Sequence, residues 1–265
     1  MRQHLGQHFL KNQAALTTII NALDLCEGET IIEIGPGAGA LTLPLAGACA
    51  EKNCKLIAIE KDGALASKLT QQLTVNNEQL TEMQIIKGDA LQKLPSLVNG
   101  QLSAVNCKIV GNIPYYITGA LLRLLGELER KPLRTVLMIQ KEVAERVSSI
   151  PPKMNLLAAA TQVWAQIELL AILKPSDFDP PPEVESAIIR LTPVNPRTKF
   201  SVGVNPRNFH PEAYYRTIHA VFKQPRKKLR NNIAPEILKK AGISPDVRGQ
   251  NLGVEELIKL STVIY

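Results

Sequence analysis

Thr30-Ile31-Ile32-Glu33-Ile34-Gly35-Pro36-Gly37-Ala38-Gly39 is the stretch that decides the fold. Its first five residues are β-branched apart from one carboxylate, and they read as a strand buried on both faces. The strand stops at glycines, which tolerate the backbone conformations of a tight turn and let main chain approach a ligand closely. A helix over 40–49 follows. Outward from this unit the pattern repeats. Strands are expected over 55–60, 83–87, 105–110 and 134–139, and helices over 63–73, capped by Asp62, and over 118–128. Apolar β-branched runs alternating with helices indicate βαβ units, hence an α/β protein with a doubly wound, mostly parallel sheet.

Beyond this region the rhythm changes. Strand-like segments at 167–173 and 186–191 flank a proline-rich loop, 175–182, and are expected to pair antiparallel at one sheet edge. Thr192-Pro193-Val194-Asn195-Pro196 breaks the pattern, and helices are expected over 212–222, 236–241 and 254–260. The chain therefore divides, on this reading, into a sheet domain over 1–196 and a small all-helical domain over 197–265.

Charge follows the same division. The net charge is +7, but residues 197–265 hold 13 Lys/Arg against 5 Asp/Glu, while 1–196 are close to neutral. A basic appendage on a neutral body suits a polyanion partner as well as it suits a solvated face. Apolar residues at 45% and charged residues at 21% exclude a disordered chain, and no apolar run approaches the length of a membrane span. The first residues lack a secretory signal, so a cytosolic protein without membrane association is expected. Cys26, Cys49, Cys54 and Cys107 make no Cys-x-x-Cys pair. They read as buried small apolar side chains, with no disulfide and no metal site.

Two sites carry chemistry. In the first, the loop Gly35-Pro36-Gly37 is followed, 25 residues after Gly35, by Glu60 at the end of the next strand. That carboxylate is placed to accept both hydroxyls of a ribose. Asp89, between Gly88 and Ala90 after the third strand, is placed to accept from an adenine amine. Such a pocket takes a dinucleotide or S-adenosylmethionine about equally well, and a glycine turn alone is a further reading. The second site is Asn112-Ile113-Pro114-Tyr115 after the fourth strand. An exocyclic base amine is a poor nucleophile because its lone pair is delocalised. The Asn112 side-chain oxygen and a backbone carbonyl near Pro114 are suited to bind its two protons and free that pair. Pro114 fixes the chain direction, and Tyr115 offers a stacking face for an extruded base. In the order glycine loop, Glu60, Asp89 and Asn112, this favours base methylation over hydride transfer.

These motifs resemble the ribosomal RNA adenine N6,N6-dimethyltransferase family of the small-subunit type. The likeness runs through Gly6-Gln7-His8-Phe9-Leu10, the glycine loop from Glu33 to Thr42, Asn112 to Tyr115, Gln140 to Arg146, Phe178 to Ser186 and the basic Phe222 to Asn232. It implies a class I, Rossmann-like methyltransferase sheet of seven strands and a C-terminal helical RNA-binding domain. It further implies S-adenosylmethionine as cofactor, held by His8, Leu10, Gly35, Gly37, Glu60, Asp89, Ala90 and Asn112. Catalytic positioning would fall to Asn112, Pro114 and Tyr115, with Phe178 on the other face of the base; read from the residues alone, Phe178 is equally a loop anchor in the proline-rich turn.

Lys223, Arg226, Lys227, Lys228 and Arg230 would contact RNA. The implied substrate is two adjacent adenines in the 3′-terminal hairpin of small-subunit rRNA, within an assembling ribosomal particle. No metal or general acid is needed, because the leaving thioether is neutral. The chain departs from the family at His8, where Asn is usual, and at Met154-Asn155, where Tyr-Gly is usual. Rival readings are the large-subunit type that confers macrolide resistance, an inactive biogenesis factor and an NAD-linked oxidoreductase. Sequence supplies no oligomeric state; a monomer is the working expectation.

Overall fold

The computed structural model describes residues 8–75, 82–101, 106–196 and 209–265. In chain order the first unit contains β1 (Phe9–Leu10), α1 (Gln13–Leu23), β2 (Thr30–Ile34), α2 (Thr42–Glu51), β3 (Lys55–Glu60), α3 (Gly63–Val75), β4 (Met83–Lys87), α4 (Ala90–Ser96), β5 (Cys107–Asn112), α5 (Thr118–Glu127) and β6 (Arg134–Gln140). There follow α6 (Lys141–Val147), α7 (Leu156–Gln162), β7 (Ala165–Leu173), β8 (Phe178–Asp179) and β9 (Ser186–Pro193). The last helices are α8 (Pro211–Val221), α9 (Pro235–Lys240) and α10 (Val254–Ile264).

The main sheet has the order β4-β3-β2-β5-β6-β9-β7. Strands β4, β3, β2, β5 and β6 run parallel, and β9 joins β6 antiparallel. The direction of winding reverses between β2 and β5. In an open α/β sheet the carboxyl ends of the two strands at such a reversal frame a crevice, because their following loops depart to opposite sides. Here those loops are the glycine turn and the segment after Asn112. Gly111 lets the two strands close on each other: a Cβ at this position would lie 2.5 Å from the Ile34 carbonyl oxygen.

Strand β5 ends two residues beyond the expected limit, so Asn112 is its last residue, in register with Met138 of β6. Residue 105 of the expected strand lies outside the described residues. Helix α2 starts at Thr42 rather than residue 40, since the glycine loop occupies the chain through Leu41. Helix α1 is absent from the sequence reading. Asn12 caps it, its side chain accepting from the Ala15 N–H and donating to Asp177. Its apolar face, including Leu16, Ile19 and Leu23, enters the core. A second small sheet pairs β1 antiparallel with β8, Phe9 opposite Asp179 and Leu10 opposite Phe178.

The chain divides into two compact units, residues 1–144 with 168–192, and residues 145–167 with 193–265. Residues 145–167 therefore group with the C-terminal helices, whereas the sequence reading placed them with the sheet. Within the second unit, Asn155 caps α7 and Tyr214 of α8 is fully buried, its hydroxyl donating to the Ala159 carbonyl. Pro211 and Pro235 open their helices at positions where a missing N–H costs nothing.

Cys49, Cys54 and Cys107 are buried as expected, but Cys26 is exposed because it sits in the turn leading to β2. No helix among the described residues is long and apolar enough to cross a membrane.

One buried ion pair ties the base of the sheet. Lys108 of β5 lies 2.7 Å from Glu29, both side chains are 5% exposed, and Lys108 also donates to the Asp24 carbonyl. Removing one partner strands the other charge without water. Glu29→Ala should destabilise the protein by about 3–5 kcal/mol, read as a lower midpoint in urea unfolding; an unchanged midpoint would show that Lys108 finds other solvation.

Candidate active site

The crevice between β2 and β5 is a cleft lined by the first unit alone. His8, Leu10, Gly35, Gly37, Glu60, Asp89, Ala90, Asn112, Pro114 and Tyr115 all line it, so ten of the sequence-derived site residues come together. Phe178 does not. It is 2% exposed, packs in the core from its place in β8 and is not among the residues lining the cleft. This corrects its expected place opposite Tyr115: the proline-rich loop uses Phe178 as its apolar anchor. The Gly6-Gln7 part of the N-terminal motif lies outside the described residues.

Glu60 shapes the floor. It is 5% exposed, and each carboxylate oxygen is already held by a backbone amide: Oε2 accepts from Gly37 N–H at 3.0 Å and Oε1 from Asp62 N–H at 2.8 Å. Each oxygen retains a second lone-pair site, the acceptor capacity a vicinal diol requires. Gly37 has φ +58°, and a Cβ there would lie 2.9 Å from the Phe9 ring, so both its conformation and its packing demand glycine.

Asp89 caps α4 through Leu91 N–H and pairs with Lys61 at 2.9 Å; that contact holds its carboxyl below the usual carboxylate range. Lys61 was not foreseen as a site residue; it lines the same cleft.

Asn112, the first residue of the second motif, is anchored through its side-chain amide. Its Nδ2 donates to the His8 carbonyl at 2.9 Å. A carbonyl only accepts, so this bond settles which end of the amide is which and leaves Oδ1 as the acceptor. The Pro114 carbonyl accepts from Ile117 N–H and so starts a single 3-10 turn over Tyr115–Ile117. Tyr115 is held at two points: its hydroxyl lies 2.9 Å from the Ser186 hydroxyl, and its ring stacks with His8 at 6.4 Å between centroids. His8 in turn bonds through Nδ1 to the Pro180 carbonyl, which makes that nitrogen the donor. The imidazole thus stands where an amide is usual, tied to both loops at the cleft.

Two further residues stand inside motifs quoted from the sequence but had no role assigned there. Ser186 closes the motif that begins at Phe178, but its sequence position gave it no role. Glu33, the one charged residue of β2, lines the cleft at 1% exposure, and its Oε2 has no hydrogen-bond partner. No group of His, Cys, Asp and Glu among the described residues could hold a metal ion.

The RNA-contact candidates lie in the second unit. The helix ends at Val221, and residues 223–228 run through exposed turns. Lys223, Arg226 and Lys227 are exposed. Lys228 and Arg230 are exposed too, but both pair with Asp246, at 2.9 and 2.8 Å. The sequence reading found no acid among these cations; the fold supplies one from 16 residues beyond Arg230.

Comparison with known proteins agrees with this geometry. The family model described as ribosomal RNA adenine dimethylase matches residues 1–264. The chain belongs to that family. A relative from Dehalococcoides mccartyi (strain CBDB1), named ribosomal RNA small subunit methyltransferase A, is 36% identical over 98% of this chain and 87% of its own length. One of the same name from Clostridioides difficile (strain 630) is 33% identical over 98% and 89%. Among solved structures, a dimethyladenosine transferase from Plasmodium falciparum superposes with a TM-score of 0.77 at 22% identity, covering 96% of each chain. The 23S rRNA methyltransferase ErmE reaches 0.70 at 20% identity, covering 96% of this chain and 98% of its own. Both share the class I methyltransferase fold. The chain is thus a methyltransferase of the rRNA adenine dimethylase family.

Burial pushes the Glu33 carboxyl from an ordinary value of 4.5 up to about 8, and the nearby Glu60 charge adds to the rise. Between those two values the unfolded chain gives up a proton that the folded chain keeps, so this group costs stability as pH rises. Glu33→Gln should therefore gain melting temperature over the native protein progressively from pH 4.5 to 8, and no further above it. Paired thermal melts across that range check it; a difference independent of pH would mean that Glu33 is ionised in the folded state.

Proposed function

We propose that this enzyme transfers methyl groups from S-adenosylmethionine to the exocyclic N6 of two adjacent adenines in the 3′-terminal hairpin of small-subunit rRNA. The products are N6,N6-dimethyladenosines, formed on an assembling particle in the cytoplasm. The observation that carries the reading is the locked Asn112 amide, whose Oδ1 is left as an acceptor at the cleft by the Nδ2 bond to His8. Small-subunit choice is supported by the names of the relatives at 36% and 33% identity. The likeness to ErmE is one of fold and carries no weight for a large-subunit target.

The residues present fit the cofactor. Glu60 retains acceptor capacity for the ribose hydroxyls, and Asp89 caps a helix beside Ala90 with acceptor capacity for the adenine amine. The partnerless Glu33 Oε2 adds one more buried polar atom on the same wall. When bound, S-adenosylmethionine supplies an electrophilic methyl on a cationic sulfur.

The chain itself prepares the nucleophile. Asn112 Oδ1 and a backbone carbonyl near Pro114 accept the two amine hydrogens, drawing the nitrogen out of conjugation with the ring. Tyr115, its ring held by Ser186 and His8, provides a fixed face for the base. The methylated amine is acidic enough to lose its proton without a strong base. Catalysis on this reading is positioning and exclusion of water. The second unit, with its exposed Lys223, Arg226 and Lys227, supplies RNA affinity.

The test is to map dimethyladenosine in rRNA from a strain lacking the gene and from strains carrying variants. Asn112→Ala should lower turnover at saturating cofactor by on the order of 10²-fold or more, the scale of an oriented acceptor lost in the transition state. RNA affinity should stay near wild type. Marks intact in the deletion strain, or near-normal turnover in the variant, would sink the proposal.

The tail makes a separate, sharper prediction. Each phosphate contact on single-stranded RNA contributes about 0.7 to the slope of log K against log salt. Arg226→Ala with Lys227→Ala should flatten that slope by up to about 1.4. Lys228→Ala with Arg230→Ala should flatten it less, because Asp246 pairs with both cations and offsets one of their two charges. Equal flattening by both pairs would show that the Asp246 bridges open on RNA.

A further inference from the structure

Tyr116 has no part in the chemistry above, yet it lines the same cleft and is 63% exposed. Among the described residues only Tyr265, at the end of the chain, is an aromatic of comparable exposure, at 65%. The local geometry explains the contrast with its neighbour. Successive residues of a 3-10 turn point about 120° apart. As Tyr115 turns into the wall to meet Ser186 and His8, Tyr116 is carried out to the mouth.

A large ring kept in water beside a cleft forgoes the burial that aromatic side chains ordinarily obtain. The other aromatic expected to serve the substrate, Phe178, is consumed by the core. Charge is not the main resource at this edge. Lys61 lies near enough to Tyr116 for the phenol to act on its ammonium, but that ammonium is already paired with Asp89.

We propose that Tyr116 is a stacking platform for the nucleotide that adjoins the target adenine. The proposal rests on the RNA-methylation reading above. The target amine has to reach Asn112 Oδ1, with its ring against Tyr115. The next residue in the turn then meets the neighbouring base along the strand. An aromatic platform accepts any base, because every base has a π face. It therefore serves both target adenines: whichever occupies the cleft, the base next to it on the same side along the strand meets the platform. Tyr116 is a positioning residue for substrate and takes no part in binding the cofactor.

The test compares Tyr116→Phe and Tyr116→Ala with the native enzyme on small ribosomal subunits that lack the dimethyl marks. Tyr116→Ala should raise KM for the particle by about 5- to 150-fold, leaving kcat and S-adenosylmethionine affinity unchanged. Tyr116→Phe should behave as wild type. The loss should be the same at low and high salt, since stacking is not screened as a phosphate contact is.

A direct readout uses an rRNA hairpin with 2-aminopurine beside the target adenine. Its fluorescence should be quenched by the native enzyme and by Tyr116→Phe, and not by Tyr116→Ala. An unchanged KM, a fall in cofactor affinity, a salt-sensitive loss or equal quenching by all three proteins would overturn the proposal. If the native enzyme transfers no methyl to RNA, the reaction assigned above fails instead, and the quenching experiment still decides the stacking.

Discussion

The Glu60 carboxylate holds the site together. It is almost wholly buried, and a charge in that position survives only if protein dipoles replace its water. Gly37 and Asp62 supply them, one amide to each oxygen, so a single side chain at the end of β3 ties the glycine loop after β2 to the turn before α3. The loop can bend far enough to offer that amide only because Gly37 adopts a positive φ and carries no side chain against Phe9. Pairing of β1 with β8 brings Phe9 and His8 into place beside it. Much of the cleft thus depends on satisfying one buried anion.

The satisfied and unsatisfied groups in the cleft divide by role. Asn112, Tyr115 and His8 form one linked set, each fixed by a hydrogen bond to backbone or to Ser186. Preorganisation of this kind lowers the cost of orienting a weak nucleophile, because the ordering is done during folding and not at each turnover. Glu33 is the opposite case. Its buried, partnerless oxygen and raised pKa represent stability given up at the cleft.

The basic segment illustrates how a charge count differs from a charge distribution. Five cations within eight residues look uniform along the chain. Folding returns Asp246 to face Lys228 and Arg230, through the same turn that bridges Lys228 to Arg248. Lys223, Arg226 and Lys227 are exposed as well, and Asp246 does not pair with them.

The parallel strands, their order of appearance and the placing of Gly35, Glu60, Asp89 and Asn112 at strand ends were legible in the sequence, because continuous β-branched runs and glycine turns are local signals. Short-range caps such as Asp62 were legible for the same reason. Helix α1 was not read, although its apolar spacing and its Asn12 cap are both local signals; only its tie to Asp177, 165 residues away, lay beyond local pattern. The grouping of residues 145–167 with the C-terminal helices was likewise invisible, since it comes from packing and not from composition.

At the site, sequence alone named ten of the residues that meet in the cleft. Only the tertiary structure decided that Phe178 goes to the core, that the Asn112 amide is locked by the His8 carbonyl and that Tyr115 leans on Ser186. These outcomes join residues 71 to 104 positions apart, or turn on which apolar side chain fills a gap. Packing and hydrogen-bond satisfaction settle them across the whole core at once, and no local pattern records the result.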